Sequence, residues 1–190
     1  MLQQKLILHV QNLTKRFPGV VALNNVKLEL HEGEFLALIG ENGAGKSTLM
    51  KILAGVQLQD EGTVEVFGET VRMDSVKTAQ HHGIALIHQE LNLSENLSIA
   101  ANIFLGREPA KAGFIDKATI RREAQRFLDM VGLKIDSETL AGDLSIGQQQ
   151  LVEIAKALSI GARILIMDEP TSSLTLSETE KLPDGPNILI

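Results

Sequence analysis

Apolar residues recur along this chain in two rhythms. Lys5 to Asn12 and Val26 to Leu30 alternate with polar positions, as does Thr63-Val64-Glu65-Val66 within Gly62 to Phe67. Alternation is the period of a half-buried strand, which predicts a small antiparallel sheet in the first part of the chain. Phe35 to Ile39 and Ile164 to Met167 are continuous apolar runs instead. Such runs read as strands buried on both faces, the habit of a parallel sheet.

Helical spacing separates these strands. Leu49, Ile52 and Leu53 share one face of a helix that opens near Ser47 and stops at Gly55. The stretch from about 91 to 161 has a different character and carries three helices. Ser98 to Leu105 reads as a short helix ending at Gly106. Asp116 to Val131 reads as a longer one, with Ile120, Ala124, Phe127, Leu128 and Val131 on its apolar face and Gly132 as its stop. Ser145 to Ile160 carries Leu151, Ile154, Ala155 and Leu158 at the same spacing. The expectation is an α/β fold with a mostly parallel sheet, an N-terminal antiparallel subdomain and a helical insert between the two buried strands.

Composition narrows the function classes. The chain has 190 residues, enough for one domain with a core. It has 3% aromatic residues and no Trp or Tyr, so that core must be aliphatic. A net charge of -6 argues against a surface made for nucleic acid or for anionic lipid. The absence of Cys excludes disulfides and thiolate metal sites. Met1 to Val10, interrupted by Gln3, Gln4, Lys5 and His9, does not read as a signal peptide. No apolar run approaches the roughly 20 residues a spanning helix needs. A cytoplasmic protein is expected, with any membrane role supplied by a partner.

Three short stretches carry chemistry. Gly40-Glu-Asn42-Gly43-Ala44-Gly45-Lys46-Ser47-Thr48 lies between an apolar run and a helix. Glycines let successive backbone N–H groups turn toward phosphate oxygens, and the helix start adds its positive end. Lys46 would place its charge on the β and γ phosphates, and the Ser47 hydroxyl would ligate Mg²⁺. This is the pattern of a P-loop nucleotide-binding core. Asp168-Glu169 follows the second buried run. The first carboxylate can hold Mg²⁺ and the second can act as general base toward water; a pair that merely caps a strand is the alternative. Ser145, Gly147 and Gln148 open the last helix, as an anion site or as an ordinary capped end.

In this order, Gly40 to Thr48, Gln89, Leu144 to Gln148 and Ile164 to Glu169 resemble the Walker A, Q-loop, signature and Walker B motifs of ABC ATPases. The resemblance covers about residues 5–180. Ile87 to Leu93, Asn102 to Glu108 and Leu144 to Gln150 are similar, more narrowly, to ATPases of bacterial sugar importers of the ribose and autoinducer-2 class. It implies an ATP-hydrolysing subunit that uses Lys46, Gln89 and Glu169 in catalysis, and Ser47, Gln89 and Asp168 at Mg²⁺. Phe17 would stack on adenine, a core Phe beside Pro18 being the alternative. Ser145 and Gly147 would meet the γ-phosphate held by a second ATPase domain, so two domains would sandwich ATP. Permease subunits would hold the protein at the cytoplasmic face of the inner membrane.

The resemblance breaks after Asp168-Glu169. The family carries a switch histidine beyond that point, whereas the five His here are 9, 31, 81, 82 and 88. Ser172 to Thr175 is similar to the D-loop, with Thr175 where many members have Asp. Pro183, Gly185 and Pro186 interrupt helix in an atypical tail, 181–190, which reads as a truncated or altered end. Two other outcomes therefore stand beside the importer ATPase. One is a nucleotide-binding fragment with little or no turnover. The other is a soluble ABC protein outside transport.

Overall fold

The computed structural model describes residues 4–88, 91–111, 113–167 and 187–189. Two compact units divide the described chain: one takes residues up to Leu86 with 162–167 and the terminal strand, the other takes Ile87–Gly161.

The first unit opens with β1 (Leu6–Phe17) and β2 (Val20–His31), paired antiparallel. Both are longer than the alternating stretches that predicted them. β3 (Phe35–Leu36) leads to the glycine loop and α1 (Lys46–Leu53). β4 (Glu61–Val66) and β5 (Glu69–Val71) complete an antiparallel sheet in the order β2-β1-β4-β5. Phe67 and Gly68, both at positive φ, make the tight turn between its last two strands. Leu8, Val10, Leu13, Leu30, Val64 and Val66 face a core shared with Leu49, Ile52 and Leu53 of α1. The core is aliphatic, as composition required.

α2 (Val76–His81) and β6 (Ile84–Ile87) follow. The second unit holds α3 (Ile99–Phe104), the short hairpin β7 (Ala110–Lys111) and β8 (Phe114–Ile115), α4 (Lys117–Met130), a single 3-10 turn (Ala141–Asp143) and α5 (Ile146–Ser159). Ser98, Asp116 and Ser145 cap their helices, a role the sequence predicted for Ser145. Ile120, Ala124, Leu128 and Val131 are buried on α4. On α5 the buried face differs from the expected one. Gln150, Val152, Ile154, Ala155 and Ala157 are buried, while Leu151 and Leu158 are half-buried. α5 packs against both α3 and α4, so one stripe cannot describe its buried surface.

β9 (Ile164–Met167) is buried at every position, as its apolar run implied. Phe35 to Ile39 behaves otherwise: only two residues are strand, Phe35 is partly exposed, and Ile39 is 96% exposed. β3 is an edge strand, and its ladder ends at Leu36 before the chain swings into the loop. A third element was invisible in the sequence. β10 (Asn187–Leu189) lies between β3 and β9, parallel to both, in the order β3-β10-β9-β6. Asn187 secures it. Its Oδ1 accepts from the Gly33 N–H, and its Nδ2 donates to the Arg163 carbonyl at 2.8 Å.

The loop is seated by backbone rather than by side chains. Gly45 has φ 90°, and a Cβ there would lie 2.4 Å from the Ala22 carbonyl oxygen and 2.8 Å from Leu23 Cδ2. Gly43 has φ 84° but open space around its Cα. Ala at 45 therefore meets both strain and a clash, whereas Ala at 43 meets strain alone, about 1–3 kcal/mol. Gly45→Ala should lower the urea midpoint clearly more than Gly43→Ala; equal midpoints would contradict the packing on β2.

Asp60 adds a charged tie between distant parts of the first unit. It accepts from Lys15 Nζ at 2.8 Å and from the Arg16 N–H at 2.7 Å. Lys15 first, then the backbone bond, holds its carboxyl below the ordinary range. The sign follows: this support is present above the unfolded carboxylate pKa and is lost as pH falls through the depressed value. Asp60→Asn should shallow the acid limb of stability against pH, measured by chemical unfolding at several pH values.

Candidate nucleotide site

The chain leaves β3 at Leu36 and reaches Gly40 after three further residues. Ala44 N–H donates to the Glu41 carbonyl at 3.2 Å, closing the turn. Lys46 then folds back over it. Its Nζ donates to the carbonyls of Gly40 at 2.6 Å and Glu41 at 3.0 Å, so the loop is closed on its own lysine. The ammonium is thereby held across the mouth of the loop.

α1 begins at Lys46 with Gly45 as N-cap, and no side chain caps it. The other described α-helices are all capped by a side chain, from Ser75, Ser98, Asp116 and Ser145. The N–H groups of a helix's first turn have no intrahelical acceptor. At α1 they stand beside Lys46 with glycine in place of a capping oxygen. Donors, a positive helix end and a cation converge here with no carboxylate in the first turn. That arrangement fits a polyanion such as a triphosphate. Ser47 lies in the same first turn, half-exposed, where a hydroxyl can serve as a hard oxygen ligand. Asn42 and Ala44 are exposed on the loop, and Thr48 is half-buried.

Phe17 reaches this neighbourhood through the same hairpin. It ends β1 opposite Val20, and two residues on, β2 meets Gly45 at Ala22 and Leu23. Phe17 is 37% exposed, and Lys15 Nζ lies 5.6 Å from its ring centroid. The Asp60 carboxylate, bonded to Lys15 and Arg16, steadies the strand end that carries it. Sequence reading missed Asp60: it lies 45 residues from Lys15, and only strand pairing reveals the contact.

The parallel register places the strand ends. Leu36, Leu189 and Ile166 are level across β3, β10 and β9. Neighbouring strands lie about 4.8 Å apart, so Leu36 and Ile166 are separated by about 10 Å. β3 and β9 run the same way, and both point their carboxyl ends toward the loop's side of the sheet, where ligands of open α/β sheets bind. Asp168 follows Met167 directly in sequence. Asp168, Glu169, Gln89 and the stretch Ser172 to Thr175 lie outside the described residues.

Ser145, Gly147 and Gln148 belong to the other compact unit. They form a capping box. Ser145 Oγ accepts from the Gln148 N–H at 3.4 Å, and Gln148 Oε1 accepts from the Ser145 N–H at 2.9 Å. Ser145 is exposed and Gly147 half-exposed. The Gln148 amide is thus engaged within the helix end, a role the sequence reading did not assign to it. The Ser-x-x-Gln spacing was the signal available. Among the described residues, no group of His, Cys, Asp and Glu forms a metal site on its own.

Comparison with known proteins agrees with this fold. A putative ribose/galactose/methyl galactoside import ATP-binding protein of Burkholderia ambifaria is 56% identical over 93% of this chain. A ribose import ATP-binding protein of Chromobacterium violaceum is 53% identical over 91% of it. The chain spans about a third of the length of these curated relatives, 34% and 35%. Among solved structures, an ATP-binding cassette of an ABC transporter in its ADP conformation matches with TM-score 0.80 at 25% identity, covering 97% of this chain and 80% of that one. A dimeric cassette described as a post-hydrolysis state bound to ADP and Pi matches with TM-score 0.73 at 27% identity, covering 96% of this chain and 86% of that one. Residues 23–172 match the family described as ABC transporter, a span that takes in the loop, the helical unit and β9, and the chain belongs to that family.

Proposed function

We propose that this chain binds MgATP on the loop Gly40 to Thr48 and forms the hydrolysing core of an importer subunit that drives uptake of a sugar or sugar-like solute. The observation that carries this reading is the state of the loop. It is closed by Lys46, seated on β2 through Gly45, and joined to the one α-helix among those described that no side chain caps. A triphosphate would accept hydrogen bonds at this helix start. Lys46 would pair with its terminal phosphates, and Gly40, Asn42, Gly43, Ala44, Gly45 and Thr48 would line it. Phe17 would stack on the adenine.

Mg²⁺, when bound, supplies charge neutralisation between phosphate oxygens. Ser47, Gln89 and Asp168 would hold it. Glu169 would accept the proton of the attacking water. Ser145, Gly147 and Gln148 would present a helix N-terminus to the γ-phosphate of a second ATPase domain. The solved dimeric cassette supports that pairing as a reading. Permease subunits would place the protein at the inner face of the cell membrane. No described helix is long and apolar enough to cross a membrane. The printed functions of the sugar-import relatives support a sugar as the transported solute.

Lys46→Ala should abolish measurable MgATP binding by fluorescent-nucleotide titration; unchanged affinity would remove the loop from the mechanism. Glu169→Gln should keep ATP binding and lose phosphate release. If wild type releases phosphate no faster than Glu169→Gln while binding ATP equally, the chain is a nucleotide-binding piece without turnover. Phe17→Ala should weaken ATP by about 1 kcal/mol, roughly fivefold in Kd, as expected for loss of one stacking platform. ATP and GTP affinities that both stay put would make Phe17 structural.

A further inference from the structure

The second compact unit contains a clamp on the segment that follows Gln89 in sequence. Asn102 on α3 is fully buried and spends its whole amide on that segment. Its Oδ1 accepts from the Ser94 N–H at 2.8 Å. Its Nδ2 faces the carbonyls of Ser94, Leu97 and Ser98 at 3.0, 3.3 and 3.1 Å.

The same segment is stitched to the chain that leads into α5. Gly142 N–H donates to the Glu95 carbonyl at 3.1 Å, and Ala141 N–H to the Leu97 carbonyl at 2.9 Å. Ile99 N–H donates to the Thr139 carbonyl at 2.9 Å. The approach is tight: a Cβ on Gly142 would lie 3.2 Å from Glu95 Cβ. Leu144 and Ser145 come next in the chain. The second attachment is further along α5, where Glu153 Oε1 accepts from the Asn92 N–H at 3.1 Å. The segment is therefore held to α5 at two places, just ahead of its first turn and about two turns inside it.

We infer that Glu153 is a positioning residue: by binding the Asn92 N–H it locks the segment leaving Gln89 onto α5, so that this segment and the helix end at Ser145 shift as one body. The functional part of this inference rests on the importer-ATPase reading above; the clamp itself does not. A solvated glutamate on a helix would leave both neighbours indifferent to its removal. A clamp makes them respond together, and it needs only an acceptor oxygen at this position, not a charge.

The test uses the full-length subunit assembled with its permease in proteoliposomes, and this chain alone for hydrogen exchange. Glu153→Ala should lower permease-stimulated kcat about tenfold, within the usual range for coupling between sites, with KM for ATP and the unstimulated rate unchanged. Glu153→Gln keeps the acceptor oxygen and should restore wild-type stimulation. Amide exchange at 92–94 should quicken in Glu153→Ala and stay slow in Glu153→Gln. The inference is overturned if Glu153→Ala matches wild type, if Glu153→Gln falls with it, if stimulated and unstimulated rates drop by one common factor, or if exchange at 92–94 does not change. Wild type that shows no hydrolysis would defeat the importer reading by itself, and the exchange comparison would still decide the clamp.

Discussion

At Gly45 the loop backbone comes so close to β2 that a Cβ would stand 2.4 Å from the carbonyl oxygen of Ala22. The loop docks by being bare, and most of the site's geometry follows from that contact. It fixes where α1 starts, and hence where Lys46 and Ser47 leave the helix. It also ties the loop to the hairpin whose far strand carries Phe17. Lys46 completes the arrangement by spanning back to Gly40 and Glu41, so the loop keeps its curve through its own side chain.

Helix ends are used in two ways in this molecule. Ser75, Ser98, Asp116 and Ser145 satisfy the first-turn N–H groups of their helices with side-chain oxygens. Such a cap typically contributes about 1 kcal/mol. α1 forgoes that contribution, because glycine at its N-cap has no oxygen to offer. The start of a helix can also donate to an anion, which is the role proposed for this one. Local stability is surrendered at the one helix end where a ligand is proposed to replace it.

The helical unit shows how polar groups specify geometry inside an aliphatic core. Asn102 satisfies its amide by gathering carbonyls from one loop, and Gly142 permits that loop to lie against the approach to α5. A buried amide left without partners is costly, so the alternative placements of this loop are disfavoured more strongly than apolar packing alone would achieve.

Local chemistry was legible in the residues themselves. Apolar patterning announced β1, β2, β4, β9, α1, α3, α4 and α5, because each carries its own run or period, and the helices add a cap or a glycine stop. The loop between a strand and a helix was legible for the same reason. What the tertiary structure alone decided is whatever depends on residues far apart in the chain. The short strand at Asn187–Leu189 has too few residues to show a period, and its place between β3 and β9 comes from backbone pairing. Phe35 to Ile39 reads as buried because its residues are apolar, yet the strand pairing stops at Leu36 and Ile39 stands in solvent. Asp60 with Lys15, and Glu153 with Asn92, are joined across 45 and 61 positions. Sequence sets the propensity of each stretch, since propensity is a property of neighbours along the chain. Partners, exposure and strand order are properties of neighbours in space, and only the folded chain supplies them.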